Sequence, residues 1–280
     1  MKFARYWTRA EAEGAGRMGS PFRVRARGWS DESIDAARAR AQEIAQRVVD
    51  RIASGPAGKQ RYPYGDRPLP EPVLREFEGA IVTRNAYGAV VLNAAQMMFI
   101  DIDHGASGGP PSGIGRMLGS LFGRGSGAAQ ADPMIATVEA ITQKNGLAAR
   151  LYRTAAGYRV LVTSAPFEAA SASSEALLRE FGADPLYVRL CKMQESFRAR
   201  LSPKPWRCNQ PNPPVEFPFE TAQDQARFSQ WEREYNAKSE AFATCRFVGA
   251  LGSGRVEPEF RALIDYHDQE TKASTTLRLA

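Results

Sequence analysis

Cysteine and histidine are scarce in this 280-residue chain, which has three cysteines (Cys191, Cys208, Cys245) and two histidines (His104, His267). Three dispersed thiols with no CxxC pair exclude a disulfide framework, and a zinc site built from them and His267 matches no familiar ligand spacing. Reduced thiols are the expectation. Long apolar runs are also absent. None reaches transmembrane length, and the opening MKFARYWTRAEAEG carries charges where a signal peptide needs an apolar core. A cytoplasmic protein with no membrane partner is therefore expected. Acids are the minority charge, 31 Asp and Glu against 37 Lys and Arg, giving a net charge of +6. That modest excess is compatible with nucleic acid, nucleotides or another polyanion without establishing one. No internal repeat is visible, and the length suits one core or a core with a smaller appended lobe.

Periodicity places most elements. Residues 22–26 alternate apolar residues with arginine, as an exposed strand does, and Ser30 with acidic Asp31 and Glu32 reads as the start of a helix. On that helix Ile34, Ala37, Ala41, Ile44 and Val48 share one face, with Arg38, Arg40 and Arg47 outward. Residues 55–72 repeat Gly and Pro and read as a connector. Residues 80–83, 89–92 and 97–102 then read as three short strands of a meander. The Gly/Ser/Ala-rich stretch 104–132 is a mobile insertion by composition; it contains no GxxxxGK[ST], and Arg116 to Phe122 is at most one helical turn docked from it. Asp132-Pro133 opens a helix to about Lys144, residues 148–153 and 158–163 form a hairpin, and residues 173–181 form a helix closed by Gly182. The segment 184–200 has no clear period. Beyond it come a proline-rich stretch (203–218), a charged helix (221–242), a short strand (245–248) and a last helix (258–271).

The chemistry centres on MMFIDIDH at positions 97–104. Alternate strand residues share a face, so Asp101 and Asp103 project side by side. Adjacent carboxylates repel unless a cation lies between them, and hard oxygen ligands suit Mg²⁺ or Mn²⁺. The plainer reading is a buried strand running into a polar loop. A second feature is the cationic segment around Arg189, Lys192, Arg198, Arg200, Lys204 and Arg207, interleaved with Phe197 and Trp206. Cations track phosphates while an aromatic ring stacks on a base. If the segment is helical, Leu190, Met193 and Phe197 instead form a core stripe.

In order, the pieces are an hhhDID strand, a loop, a helix, a strand, the strand Thr154-Ala155-Ala156-Gly157-Tyr158-Arg159-Val160-Leu161-Val162, a helix, and Asp184 before a basic stretch. This arrangement resembles the archaeo-eukaryotic primase, or primase-polymerase, superfamily over residues 80–206. The resemblance implies an RRM-like palm in which Asp101, Asp103 and Asp184 are catalytic metal ligands for Mg²⁺ or Mn²⁺. It implies that Arg159, Arg198, Arg200 and Lys204 bind nucleotide phosphate. Arg159 stands where that family has histidine; arginine supplies a fixed bidentate donor but no general base. Asp184 also reads as a turn residue before Pro185, Asp265 is a rival third acid, and His104 is a further candidate beside the pair.

The expected architecture is α+β: a small mixed or antiparallel sheet flanked by helices, with an N-terminal αβ segment (1–79), a catalytic-like core (80–206) and a C-terminal helical extension (207–280). The expected function is a metal-dependent nucleotidyltransferase using NTP or dNTP on a single-stranded or template-primer nucleic acid, in DNA replication or repair. The alternatives are a weak or inactive nucleic-acid- or nucleotide-binding relative of the same fold, and a DxD glycosyltransferase.

Overall fold

The computed structural model describes residues 1–16, 19–54, 67–103 and 132–280. The candidate His104, nearly all of the expected insertion and its 116–122 island lie outside the described residues.

The fold is mixed α+β. It opens with a hairpin of β1 (Tyr6–Ala15) and β2 (Pro21–Ser30), in register from Tyr6 opposite Ser30 to Ala15 opposite Pro21. Helix α1 (Ile34–Ser54) covers one face of it. On β2 the apolar alternates Phe22, Val24 and Ala26 turn toward α1, and Gly28 permits the closest approach. A Cβ there would sit 2.2 Å from the Ala37 carbonyl oxygen. Two sequence expectations shift by a residue or more. The capping side chain is Ser33, which accepts from Ala36 N at 3.1 Å, while Ser30 accepts from Glu32 N one turn earlier. The buried face is Ala37, Ala41, Ile44, Ala45 and Val49, whereas Ile34 is exposed. The hairpin's approach angle selects among the small residues of an alanine-rich helix, a choice that periodicity leaves open. Strand β1 was not expected at all, because its mixed polar sequence has no apolar alternation strong enough to read.

Two four-stranded antiparallel sheets follow. One has the order β3-β4-β5-β9 (Val73–Phe77, Ala80–Arg84, Val90–Ala94, Phe197–Arg200). The other has the order β11-β7-β8-β6 (Cys245–Leu251, Ala149–Thr154, Gly157–Val162, Phe99–Asp103). Residues 97–102 were expected to close a meander, but β6 leaves it. The place beside β5 is taken by β9, and β6 pairs with β8 instead. The DID strand is thereby set against the strand that carries Arg159. Strand β3 lies within the stretch preceding residue 80, and β11 comes from beyond residue 206, so both sheets draw strands from outside 80–206. A parallel pair, β10 (Phe242–Ala243) with β12 (Arg278–Leu279), completes the strands.

The helices match the cap chemistry in the sequence. Asp132 caps α2 (Pro133–Lys144), Ser171 caps α3 (Ala172–Glu180), and Thr221 caps α5 (Ala222–Ser239), each accepting from a first-turn N–H at 3.0–3.1 Å. The segment 184–200, which has no clear period in sequence, divides into α4 (Pro185–Gln194) and β9, broken at Glu195, which takes a left-handed φ of 51°. The last helix is a 3-10 turn (Pro258–Phe260) leading into α6 (Arg261–Glu270).

One apolar cluster, from Ala80 to Ala273, unites both sheets with α2, α3, α4 and α6. The sheets are joined at β6 and β9. Tyr187 Oη on α4 lies 2.7 Å from the Phe99 carbonyl and 3.1 Å from the Arg198 carbonyl, so its hydroxyl bridges strands of different sheets. Among the described residues no helix is long and apolar enough to cross a membrane.

Candidate functional site

Register builds the site. Asp101 on β6 lies directly opposite Arg159 on β8, and Asp103 lies opposite Gly157. A Cβ at Gly157 would fall 1.9 Å from the Ile102 carbonyl oxygen, so only glycine allows β8 to run this close to the DID strand. All of β8 is buried, including Arg159, whose side chain is 1% exposed. A buried guanidinium needs its N–H groups satisfied and its charge balanced. Arg159 achieves both. Its Nε and Nη2 donate to Asp101 Oδ1 and Oδ2 at 2.7 and 3.2 Å, and its Nη1 donates to the Arg200 carbonyl at 2.9 Å. The same Nη1 lies 3.2 Å from His267 Nε2.

Arginine can only donate, so His267 Nε2 must accept and the proton resides on Nδ1, which donates to Asp268 Oδ1 at 2.9 Å. Asp268 in turn accepts from Arg150 Nη2 at 2.5 Å, and Arg150 Nε donates to the Tyr152 hydroxyl at 2.7 Å. The result is a chain running Asp101–Arg159–His267–Asp268–Arg150–Tyr152, with Arg159, His267 and Tyr152 buried and the other three partly exposed. Burial, aided by the Arg159 charge, pushes the His267 imidazole below its ordinary value against the pull of Asp268, which keeps the ring neutral. Burial alone would raise the Asp101 carboxyl. The charge and hydrogen bonds of Arg159, with smaller help from Arg200 and His267, outweigh it and hold Asp101 below the usual carboxylate range.

Both Asp101 oxygens are thus engaged by a fixed cation on the neighbouring strand. As it stands, the DID strand does not offer a divalent ion the two free carboxylates that its alternation led us to expect. Asp103 is exposed at the strand end. Asp184 caps α4, accepting from Leu186 N at 2.8 Å and Tyr187 N at 3.0 Å. Asp265 is exposed on α6, and the three cysteines are free and buried.

The four cations expected to bind phosphate separate into distinct roles. Arg159 is turned inward. Arg198 forms a buried pair with Glu71 at 2.8 and 3.0 Å, and Glu71 also accepts from Thr83 Oγ1 at 2.5 Å. Arg200 and Lys204 remain, joined by Arg207. Among the described residues these three make no ion pair with a carboxylate, and Arg200 Nε is buried with no hydrogen-bond partner. Burial, with the charges of Arg159 and Arg207, holds the Arg200 guanidinium below its ordinary value against Tyr87 and Asp101. Burial likewise lowers the Lys204 amine, reinforced by Arg200 and Arg207 and opposed by Asp103 and Asp101. Three mutually repelling cations beside the DID strand form a site that an anion would stabilise.

Sequence reasoning missed Glu71, Tyr187 and the pairing of His267 with Asp268. Nothing local marks Glu71 or Tyr187, whose partners Arg198 and Phe99 are 127 and 88 residues away. The His267-Asp268 dipeptide was a visible signal, but its meaning depends on Arg159 arriving from a strand more than 100 residues earlier. No protein-family model, no curated protein and no solved structure matches this chain.

Proposed function

We propose that this chain binds nucleotide or nucleic-acid phosphate through Arg200, Lys204 and Arg207, on a primase-polymerase-like core in which Arg159, rather than a divalent cation, neutralises Asp101. The observation that carries this reading is the bidentate pair between the buried Arg159 guanidinium and the half-buried Asp101 carboxylate. A guanidinium on both oxygens gives Asp101 the counter-charge that a metal would give, and it repels a second cation brought to the same carboxylate. The unpartnered Arg200, Lys204 and Arg207 support the anionic ligand. Phosphate oxygens would satisfy the buried Arg200 Nε–H and offset the mutual repulsion.

In this account the residues bind and orient. Arg159 is a positioning residue that fixes the Arg200 backbone through its carbonyl, and His267 and Asp268 fix Arg159. The ligand is a free NTP or dNTP, or a single strand or template-primer whose phosphates occupy the same cluster.

A second reading is a nucleotidyltransferase dependent on Mg²⁺ or Mn²⁺, and the exposed Asp103 carboxylate at the strand end favours it. Its chemistry would require Asp101 to exchange Arg159 for the ion. The discriminating experiment is incorporation of labelled NTPs and dNTPs on primed and unprimed single-stranded DNA with either metal, with Asp101→Ala/Asp103→Ala as control. The binding reading expects no incorporation alongside salt-sensitive binding of the same DNA. Incorporation that is lost in the double variant overturns it in favour of the enzyme.

A further inference from the structure

The turn that follows β9 carries a half-exposed aromatic group outside the apolar core. Trp206 is 52% exposed. Of the other three tryptophans, Trp7 and Trp231 are at most 7% exposed and donate their indole N–H to the Ala4 and Pro211 carbonyls at 2.9 and 2.7 Å, and Trp29 is partly buried between Trp7 and Arg40. Trp206 is only half buried, and among the described residues its indole N–H has no hydrogen-bond partner. It is nonetheless held in place. It sits in the 3-10 turn Pro205–Cys208, whose Pro205 and Cys208 are buried, with Arg207 N donating to the Lys204 carbonyl at 2.8 Å and Gln210 N to the Pro205 carbonyl at 2.9 Å. Upstream, Tyr235 Oη donates to the Pro203 carbonyl at 2.6 Å. Tyr87, from the β4–β5 turn, packs edge-on against the indole at 5.4 Å, and Lys204 Nζ lies 5.5 Å from the ring centroid. An exposed aromatic plane is thus fixed in the same turn as two of the three unpartnered cations.

We propose that the ligand of the Arg200–Lys204–Arg207 cluster carries a nucleobase, and that the base lies on the Trp206 indole braced by Tyr87. The inference rests on the phosphate-binding reading above and adds the place of the base, so that Trp206 makes the site prefer a nucleoside polyphosphate or a nucleotide unit of a single strand over inorganic polyphosphate. Base stacking on an aromatic side chain strengthens binding about 5- to 150-fold. The rigid turn means that little further ordering opposes that gain.

The test measures affinities of wild type, Trp206→Ala and Trp206→Phe for inorganic tripolyphosphate, ATP and a short oligo-dT. Wild type binds at least one of the two base-bearing probes more tightly than its phosphate charge alone dictates. Trp206→Ala loses about 5- to 150-fold for that probe and less than twofold for tripolyphosphate, and Trp206→Phe retains most of the affinity. Loss confined to ATP identifies a free nucleotide as the ligand, and loss confined to oligo-dT identifies a strand. If Trp206→Ala weakens all three probes equally, or none, while tripolyphosphate still binds, the nucleobase inference falls and the phosphate site stands. If wild type binds no tripolyphosphate and Arg200→Ala/Lys204→Ala changes nothing, both fall. Because Trp206 is outside the core, its truncation leaves the fold intact, which circular dichroism checks.

Discussion

Replacing Asp101 with Asn keeps the side-chain shape and removes the charge opposite Arg159. Breaking a buried ion pair by deleting one partner costs about 3–5 kcal/mol, because the surviving charge is left uncompensated. Two features reduce the figure here. The Asp101 side chain is 36% exposed, so solvent already screens part of the pair, and Arg159 keeps the Arg200 carbonyl and His267 Nε2 as partners. We therefore expect Asp101→Asn to destabilise the protein by about 2 kcal/mol, read as a lower urea midpoint with an unchanged m value. The sign is diagnostic. In a site where Asp101 and Asp103 stand as bare metal ligands, removing one carboxylate relieves repulsion and leaves the metal-free protein equally or more stable. Arg159→Met leaves the partly hydrated Asp101 behind and costs less than Asp101→Asn. The double variant recovers part of the loss, giving a coupling of about 1–2 kcal/mol. A urea midpoint for Asp101→Asn equal to or above wild type would falsify the claim that Arg159 supplies the counter-charge.

Four further outcomes follow from the same geometry. His267 is buried and held below its ordinary value, so the unfolded chain binds the proton more readily. Stability is full above about pH 6.5 and declines as pH falls toward the depressed folded value, with a slope of at most about 1.4 kcal/mol per unit. His267→Gln should remove that slope between pH 5 and 7 in urea titrations, and an unchanged slope would assign it to other groups. Truncating the buried Arg198 partner by Glu71→Ala should cost about 3–5 kcal/mol while leaving tripolyphosphate affinity within twofold; a parallel loss of affinity would place Arg198 in the binding site after all. Arg200→Ala and Lys204→Ala should each flatten the plot of log affinity for oligo-dT against log salt by about 0.7, and a parallel plot would remove that residue from phosphate contact. Gly157→Ala drives a methyl group into the Ile102 carbonyl and should cost about 1–3 kcal/mol or shift the β6–β8 register, visible as lost amide protection along β6.

The legible parts of the fold were those written in local chemistry. Asp132-Pro133 announces its helix because a cap acts within three residues, and the 149–162 hairpin is visible because only Ala155 and Ala156 separate its strands. Strand partners separated by long loops were not legible. β9 rather than β6 pairs with β5, and Tyr187 then bridges the two sheets at the Phe99 and Arg198 carbonyls, 88 residues from the first of them. The same limit applies to the site. Alternation correctly placed Asp101 and Asp103 on one face, but alternation cannot reveal that Arg159 stands opposite Asp101. The basic stretch looked uniform in sequence, and tertiary partners separate it. Glu71 claims Arg198, whereas no described carboxylate claims Arg200 or Lys204.

The most direct test of the central claim is the affinity of the purified protein for fluorescent ATP and oligo-dT at one salt concentration, first with EDTA and then with Mn²⁺. If Arg159 neutralises Asp101, binding persists in EDTA and changes by less than about twofold when the metal is added, because the ligand's partners are Arg200, Lys204 and Arg207. Binding that appears only with Mn²⁺ and disappears in Asp101→Asn would contradict the account and return Asp101 to the role of a metal ligand.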